Sequence, residues 1–144
     1  MKVISNILSE AIEQALVDLE LCVRDPEYAV DFSDWHGPTD IGGQFSDERS
    51  ICSVCFAGSV MAKSLESGKT DHVQPENFDD STKDMLHALD AIRQGHIHNA
   101  LVEIALDLDD YPNLVKAVEV NQQDYHQFRD DMKTIINILK KQGL

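Results

Sequence analysis

Basic residues are scarce in this chain: 12 Lys and Arg stand against 26 Asp and Glu, a formal net charge of -14 at pH 7 over 144 residues. So acidic a chain repels nucleic-acid phosphates and anionic lipid headgroups, which argues against direct binding to either. Long apolar runs are missing as well. The longest, around Val54 to Ala62, falls far short of the ~20 residues a membrane-spanning helix needs. Near the N-terminus, Val3 and Ile4 start an apolar stretch that Ser5, Asn6, Ser9 and Glu10 interrupt, so no secretory signal is expected. Three cysteines (Cys22, Cys52 and Cys55) are too few, and odd in number, for a disulfide framework. Reduced thiols and a cytoplasmic location are therefore the expectation.

What is present belongs to a globular protein. An apolar share of 42% with interspersed charges exceeds what a disordered chain carries. One domain over residues 1–144 is long enough to bury roughly 70% of the surface its unfolded form exposes. Apolar residues at three- and four-residue spacing predict an amphipathic helix over 4–24 (Ile4, Leu8, Ala11, Ile12, Ala15, Leu19, Cys22), with Glu10, Glu13, Gln14 and Asp18 outward. Asp25-Pro26 ends it, because the residue before a proline leaves the helical region. Residues 27–44 read as a long ordered loop pinned by Tyr28, Phe32 and Trp35, with room for a short strand near Tyr28–Phe32.

A second helix is predicted from Asp47 to Glu66, capped by Ser46 and stopped at Gly68. Met85, Leu86, Leu89 and Ile92 mark a third, opened by Ser81-Thr-Lys-Asp84 and closed by Gly95; Ile97, Leu101, Ile104 and Ala105 mark a fourth. Pro112 to Val118 is readable as a short helix or as a strand. Tyr125, Phe128, Met132, Ile135, Ile136 and Leu139 define the last helix, whose terminal Lys140 and Lys141 complement its dipole. The expected class is all-α, a single domain of five to six helices.

Cys52 and Cys55 carry the most specific chemical signal. Three apart on a predicted helix, their sulfurs share a face and could reach one zinc ion. His36, 16 residues before the first, and His72, 17 after the second, would complete a tetrahedral set. Zinc deaminases pair His-x-Glu with Pro-Cys-x-x-Cys, but here Pro38 stands where their catalytic Glu must be and Ile51 precedes the first cysteine. The competing reading is packing: Cys52, Cys55, Ala57, Gly58, Ser59 and Ala62 are small so that another helix can approach closely.

Asp107, Asp109 and Asp110 do not make a calcium loop, since Tyr111 and Pro112 occupy its fifth and sixth positions. With Asp79 and Asp80 they read as acidic, solvated helix ends, available with Trp35 as contact residues for a partner. His96 and His98 are two apart and face different ways on a helix, so joint ligation is not expected. No His-Glu-x-x-His, phosphate-cradling loop or nucleophile elbow occurs, and nothing in the chain demands an enzyme.

The stretches Asp25-Pro-Glu-Tyr28, Trp35-His36, Cys52-Ser-Val-Cys55-Phe-Ala-Gly-Ser-Val-Met-Ala62, Phe78-Asp-Asp80 and Leu89-Asp-Ala-Ile-Arg-Gln-Gly95 resemble a family of small uncharacterised bacteriophage and prophage proteins. The resemblance covers residues 11–101. It implies an accessory protein that modulates a host or phage component by binding it, and brings no activity with it. The functional expectation is a protein–protein interaction module, in its most concrete form an acidic inhibitor competing with nucleic acid for a basic partner surface. A structural zinc domain on Cys52, Cys55 and His36 is the alternative. A homodimer is expected through either the small-residue face of the second helix or the Ile135-Ile136-Leu139 edge of the last.

Overall fold

The computed structural model describes residues 3–39, 51–65 and 73–144. Among them are five α-helices and three strands: α1 Leu8–Arg24, β1 Tyr28–Val30, β2 His36–Thr39, β3 Ile51–Val54, α2 Phe56–Lys63, α3 Asp80–Arg93, α4 Ile97–Glu103 and α5 Tyr125–Lys141. The all-α expectation is overturned: the chain is a mixed α/β protein whose three-stranded sheet has the order β1-β3-β2. β3 lies in the middle, parallel to β1 with Tyr28 opposite Cys52, and antiparallel to β2 with His36 opposite Val54. The expected long loop between the first two helices thus contains two strands, the first where a short strand was anticipated.

The predicted second helix divides. Residues 51–54 form β3, Cys55 turns the chain, and the helix proper ends at Lys63. Positions 46–50 and 66–68 lie outside the described residues. β3 is covered on both faces, with Cys52, Ser53 and Val54 all buried, and every residue of α2 from Phe56 to Ala62 is buried too. A segment enclosed on all sides shows neither the two-residue nor the 3.6-residue alternation that distinguishes strand from helix.

The other helices follow their apolar stripes. α1 begins at Leu8 instead of residue 4, although Ile4 still packs into the core. It buries Leu8, Ala11, Ile12, Ala15, Leu19 and Cys22, and also Asp18, which was assigned outward. Asp18 lies three residues after Ala15 and four before Cys22, on the inward face, where its carboxylate accepts a hydrogen bond from the buried Ser64 hydroxyl. α3 is capped not by Ser81 but by Asp79, which accepts from the Thr82 N–H at 2.8 Å.

Gly95 makes the turn into α4 at φ +81°, and a Cβ there would lie 1.8 Å from the Val118 carbonyl oxygen. That close approach lets the Val118 N–H reach the Gly95 carbonyl at 2.9 Å and the His98 N–H reach Lys116 at 3.2 Å. Residues 112–120 are therefore a strap across the α3–α4 turn, with a single bridge pair, His96 opposite Ala117. They form neither the short helix nor the strand anticipated. α5 closes the core: Phe128 packs at 5.3 Å centroid distance on Phe56 of α2 and at 4.9 Å on Phe32 after β1.

Candidate functional site

Two groups of residues were singled out by sequence, and the fold treats them differently. Cys52 is a strand residue and Cys55 is the N-cap of α2, so the two do not share a helix face. The Cys55 sulfur has a structural role: it accepts a hydrogen bond from the Gly58 N–H at 3.3 Å. Burial pushes this thiol up to about 12, which keeps it protonated at neutral pH. A neutral buried thiol is a poor nucleophile, and a metal would have to displace its proton against that desolvation.

Cys52 belongs to another neighbourhood, opposite Tyr28 in the sheet and close to Cys22. Burial likewise raises the Cys22 thiol to about 12, despite the opposing influence of the Lys63 ammonium. Lys63 sits 4.4 Å over the Tyr28 ring and 3.0 Å from Asp25, tying the end of α2 to the start of β1. His36 is fully buried in β2, and its carbonyl accepts from Gln74 Nε2 at 3.1 Å. His72 lies outside the described residues. Among the described residues no group of three His, Cys, Asp or Glu side chains is arranged to hold a metal ion.

Trp35 anchors this corner. Its carbonyl accepts the Cys55 N–H at 3.4 Å, and its ring meets the edge of His87 on α3 at 5.3 Å. α2 approaches so closely that a Cβ on Gly58 would fall 1.5 Å from the Trp35 carbonyl oxygen. At Gly58 the close neighbour is the Trp35 turn, while α2 as a whole packs on α1 and α3, so the small residues around Cys55 admit both a strand turn and neighbouring helices. This neighbourhood is a packing centre.

The acidic residues fare otherwise. Asp79 and Asp80 at the start of α3, and Asp107, Asp109 and Asp110 after α4, are all exposed. α3 and α4 pack as a hairpin, and the start of α3 shares one groove of about 430 Å³ with the end of α4. Asp79, Asp84 and Met85 line it from α3, Ile104 and Leu106 from the other side, and Val3 to Asn6 from the N-terminal segment. Asp107 follows the groove residue Leu106 directly in the chain, and the exposed Asp107–Asp110 turn continues from there. The Asp79 carboxyl is held below its usual value by the hydrogen bond from the Thr82 backbone and stays ionised. Asp107 in turn accepts from the Asp109 N–H at 2.9 Å, which fixes the short turn Leu108–Asp110.

Lys83 stands 3.7 Å from Asp80 in a solvent-exposed pair that screens little. The apolar floor made by Ile104 and Leu106 is not read from the sequence, where Ile104 counts as a helix-face residue and Leu106 is not singled out. The signal available was that α4 ends at Glu103, leaving two half-buried hydrophobics beyond its last turn. Ala105 marks that exit with φ +58°.

Comparison with family models, with curated proteins and with solved structures finds no match to this chain. Among the described residues no helix is long and apolar enough to cross a membrane.

Proposed function

We propose that this chain is a phage-like accessory protein of the cytoplasm that acts by docking on a basic protein, in competition with nucleic acid for that partner's surface. The observation that carries this reading is the groove at the α3–α4 end, where Asp79 and Asp84 line an apolar floor of Ile104 and Leu106 and the exposed Asp107–Asp110 turn follows Leu106 in the chain. Carboxylates at a rim attract Lys and Arg side chains, while an apolar floor receives their methylene stems or a neighbouring hydrophobic residue. Rigid backbone caps at Asp79 and Asp107 hold these charges in place before binding, so little ordering is lost on association. The net charge of -14 speeds the encounter with a basic partner and repels the nucleic acid it would displace.

The test is capture. The immobilised chain is exposed to a bacterial lysate treated with nuclease, and bound proteins are eluted in steps of salt and, separately, with duplex DNA. Basic nucleic-acid-binding proteins released both by moderate salt and by DNA support the reading. Retention that survives high salt and ignores DNA contradicts it.

A further inference from the structure

Of the interfaces anticipated for a dimer, the small-residue face of α2 is buried inside the chain, and of the Ile135-Ile136-Leu139 edge Ile135 and Leu139 are fully buried while Ile136 borders an open groove. The face that holds this groove is open. α1 and α5 run antiparallel, Glu13 pairing with Lys140 at one end while Glu20 and Arg24 lie beside Tyr125 at the other. Between them runs a groove of about 520 Å³ floored by Leu16, Val17 and Ile136. Next to it Val17 is 56% and Leu21 48% exposed on α1, an unusual cost for two residues one turn apart on the same helix face.

The charges on the two walls are segregated. The α1 wall carries Glu13 and Glu20; the α5 wall carries Arg129 and Lys133, with Lys140 beyond. α5 holds four of the 12 basic residues of the chain, Lys141 being the fourth, although the chain as a whole is strongly acidic. Of the helix's own carboxylates, Asp131 is engaged by the Asn121 N–H and the Gln127 amide, and Asp130 stands 3.9 Å from Arg129 in a long, part-exposed pair outside the groove lining, leaving Lys133 without an ion pair among the described residues.

A two-fold axis parallel to these helices sets each α1 over the α5 of the other copy and preserves height along the axis. Every glutamate that stands beside a basic residue within its own chain then stands across from the same residue of the partner. The apolar strip of Leu16, Val17 and Ile136 meets its own copy in the middle. We infer that the α1–α5 face is where two copies of this chain associate, acidic α1 wall against basic α5 wall, as an antiparallel four-helix arrangement. Two 17-residue helices side by side offer a face about 25 Å by about 20 Å. That is on the order of 500 Å² per copy, enough to reach the ~1,000 Å² total of a small specific interface. The mutual repulsion of two acidic chains acts over distances that physiological salt screens within about 8 Å, whereas pairs in contact across the face are screened less.

The experiment is sedimentation equilibrium of the full chain and of two charge-reversed forms, Glu13→Lys/Glu20→Lys and Arg129→Glu/Lys133→Glu. The wild type is expected at twice the 16.1 kDa chain mass. Each reversed form presents one sign of charge on both walls and should dissociate at least about tenfold more readily. Mixing the two forms should restore a dimer, because the all-basic face of one then meets the all-acidic face of the other. Circular dichroism melts serve as the control for folding. A wild type that stays monomeric at high micromolar concentration overturns the proposal and leaves the groove to a foreign partner. So does a dimer that both reversed forms retain, or a pair of monomers that fail to associate on mixing.

Discussion

The two halves of this molecule are built on opposite economies of burial. In the helical half, α1, α3 and α5 each bury one stripe and wet the other, so their sequences alternate with helical period, and the starts of α3 and α5 are marked by carboxylate caps at Asp79 and Asp124. In the other half, β3 and α2 are enclosed on every side, and their shared run from Ile51 to Ala62 is uniformly apolar or small. There the cap is a buried thiol and the fit is set by a missing Cβ at Gly58. The first kind of region tolerates change at its surface and offers charges to partners. The second tolerates little, and offers nothing reachable.

The largest expected effect comes from breaking the joint between the halves. Phe128→Ala removes the ring that α5 sets against Phe56 and Phe32, and should cost about 3–5 kcal/mol in urea denaturation. Gly58→Ala comes next, at about 3 kcal/mol, because its new methyl must move the Trp35 backbone and not a flexible side-chain end. An equally stable Gly58→Ala protein would mean that the enclosed half is loosely packed after all. Removing caps sharpens the contrast at a smaller scale. Asp79→Ala should lower the urea midpoint by less than Phe128→Ala or Gly58→Ala does, and Asp79→Asn should restore it. Cys55→Ser, in contrast, keeps an acceptor but places a hydroxyl in an apolar core.

Acid and alkali should separate the halves as well. The folded-state pKa of Cys55 and Cys22 is raised from 9.0 to about 12, so their contribution is whole below pH 9 and lost as pH climbs toward 12. A thermal melt series in that range should fall less steeply for Cys55→Ala, and Ellman's reagent at pH 8 should label these thiols only as fast as the protein opens. The smallest effect belongs to Asp79, whose pKa is lowered from 3.8. Its contribution is present above that value and disappears as pH falls through the lowered one, a slope that Asp79→Asn should flatten.

This contrast also explains what could be read in advance. Met85, Leu86, Leu89 and Ile92 of α3 and the stripe of α5 were legible because one wet face gives a period to count. Asp18 was misassigned although its place three after Ala15 and four before Cys22 held the answer; a charged residue on an inward stripe is easily read as the boundary of the stripe. The segment 51–63 was read as one helix because residues buried on both sides carry no period, and the partner strands that settle it are distant in sequence. The carboxylates were visible as charges. That Asp79 and Asp84 share one groove with Ile104 and Leu106 depends on how α3 packs on α4, which no local pattern encodes.

The central claim is that the carboxylates of the α3–α4 end, and not the acidity of the chain at large, receive a basic partner. It is tested most directly by titrating a fluorescent oligoarginine peptide into three proteins: the wild type, Asp79→Asn/Asp107→Asn/Asp109→Asn/Asp110→Asn, and a control of equal net charge, Glu27→Gln/Glu119→Gln/Asp124→Asn/Asp130→Asn. Asparagine keeps the caps at Asp79, Asp107 and Asp124, so all three should fold alike. The account predicts at least about tenfold weaker binding for the groove variant and near wild-type binding for the control. Equal weakening of both variants would contradict it, leaving a diffuse acidic surface with no docking site at the α3–α4 end.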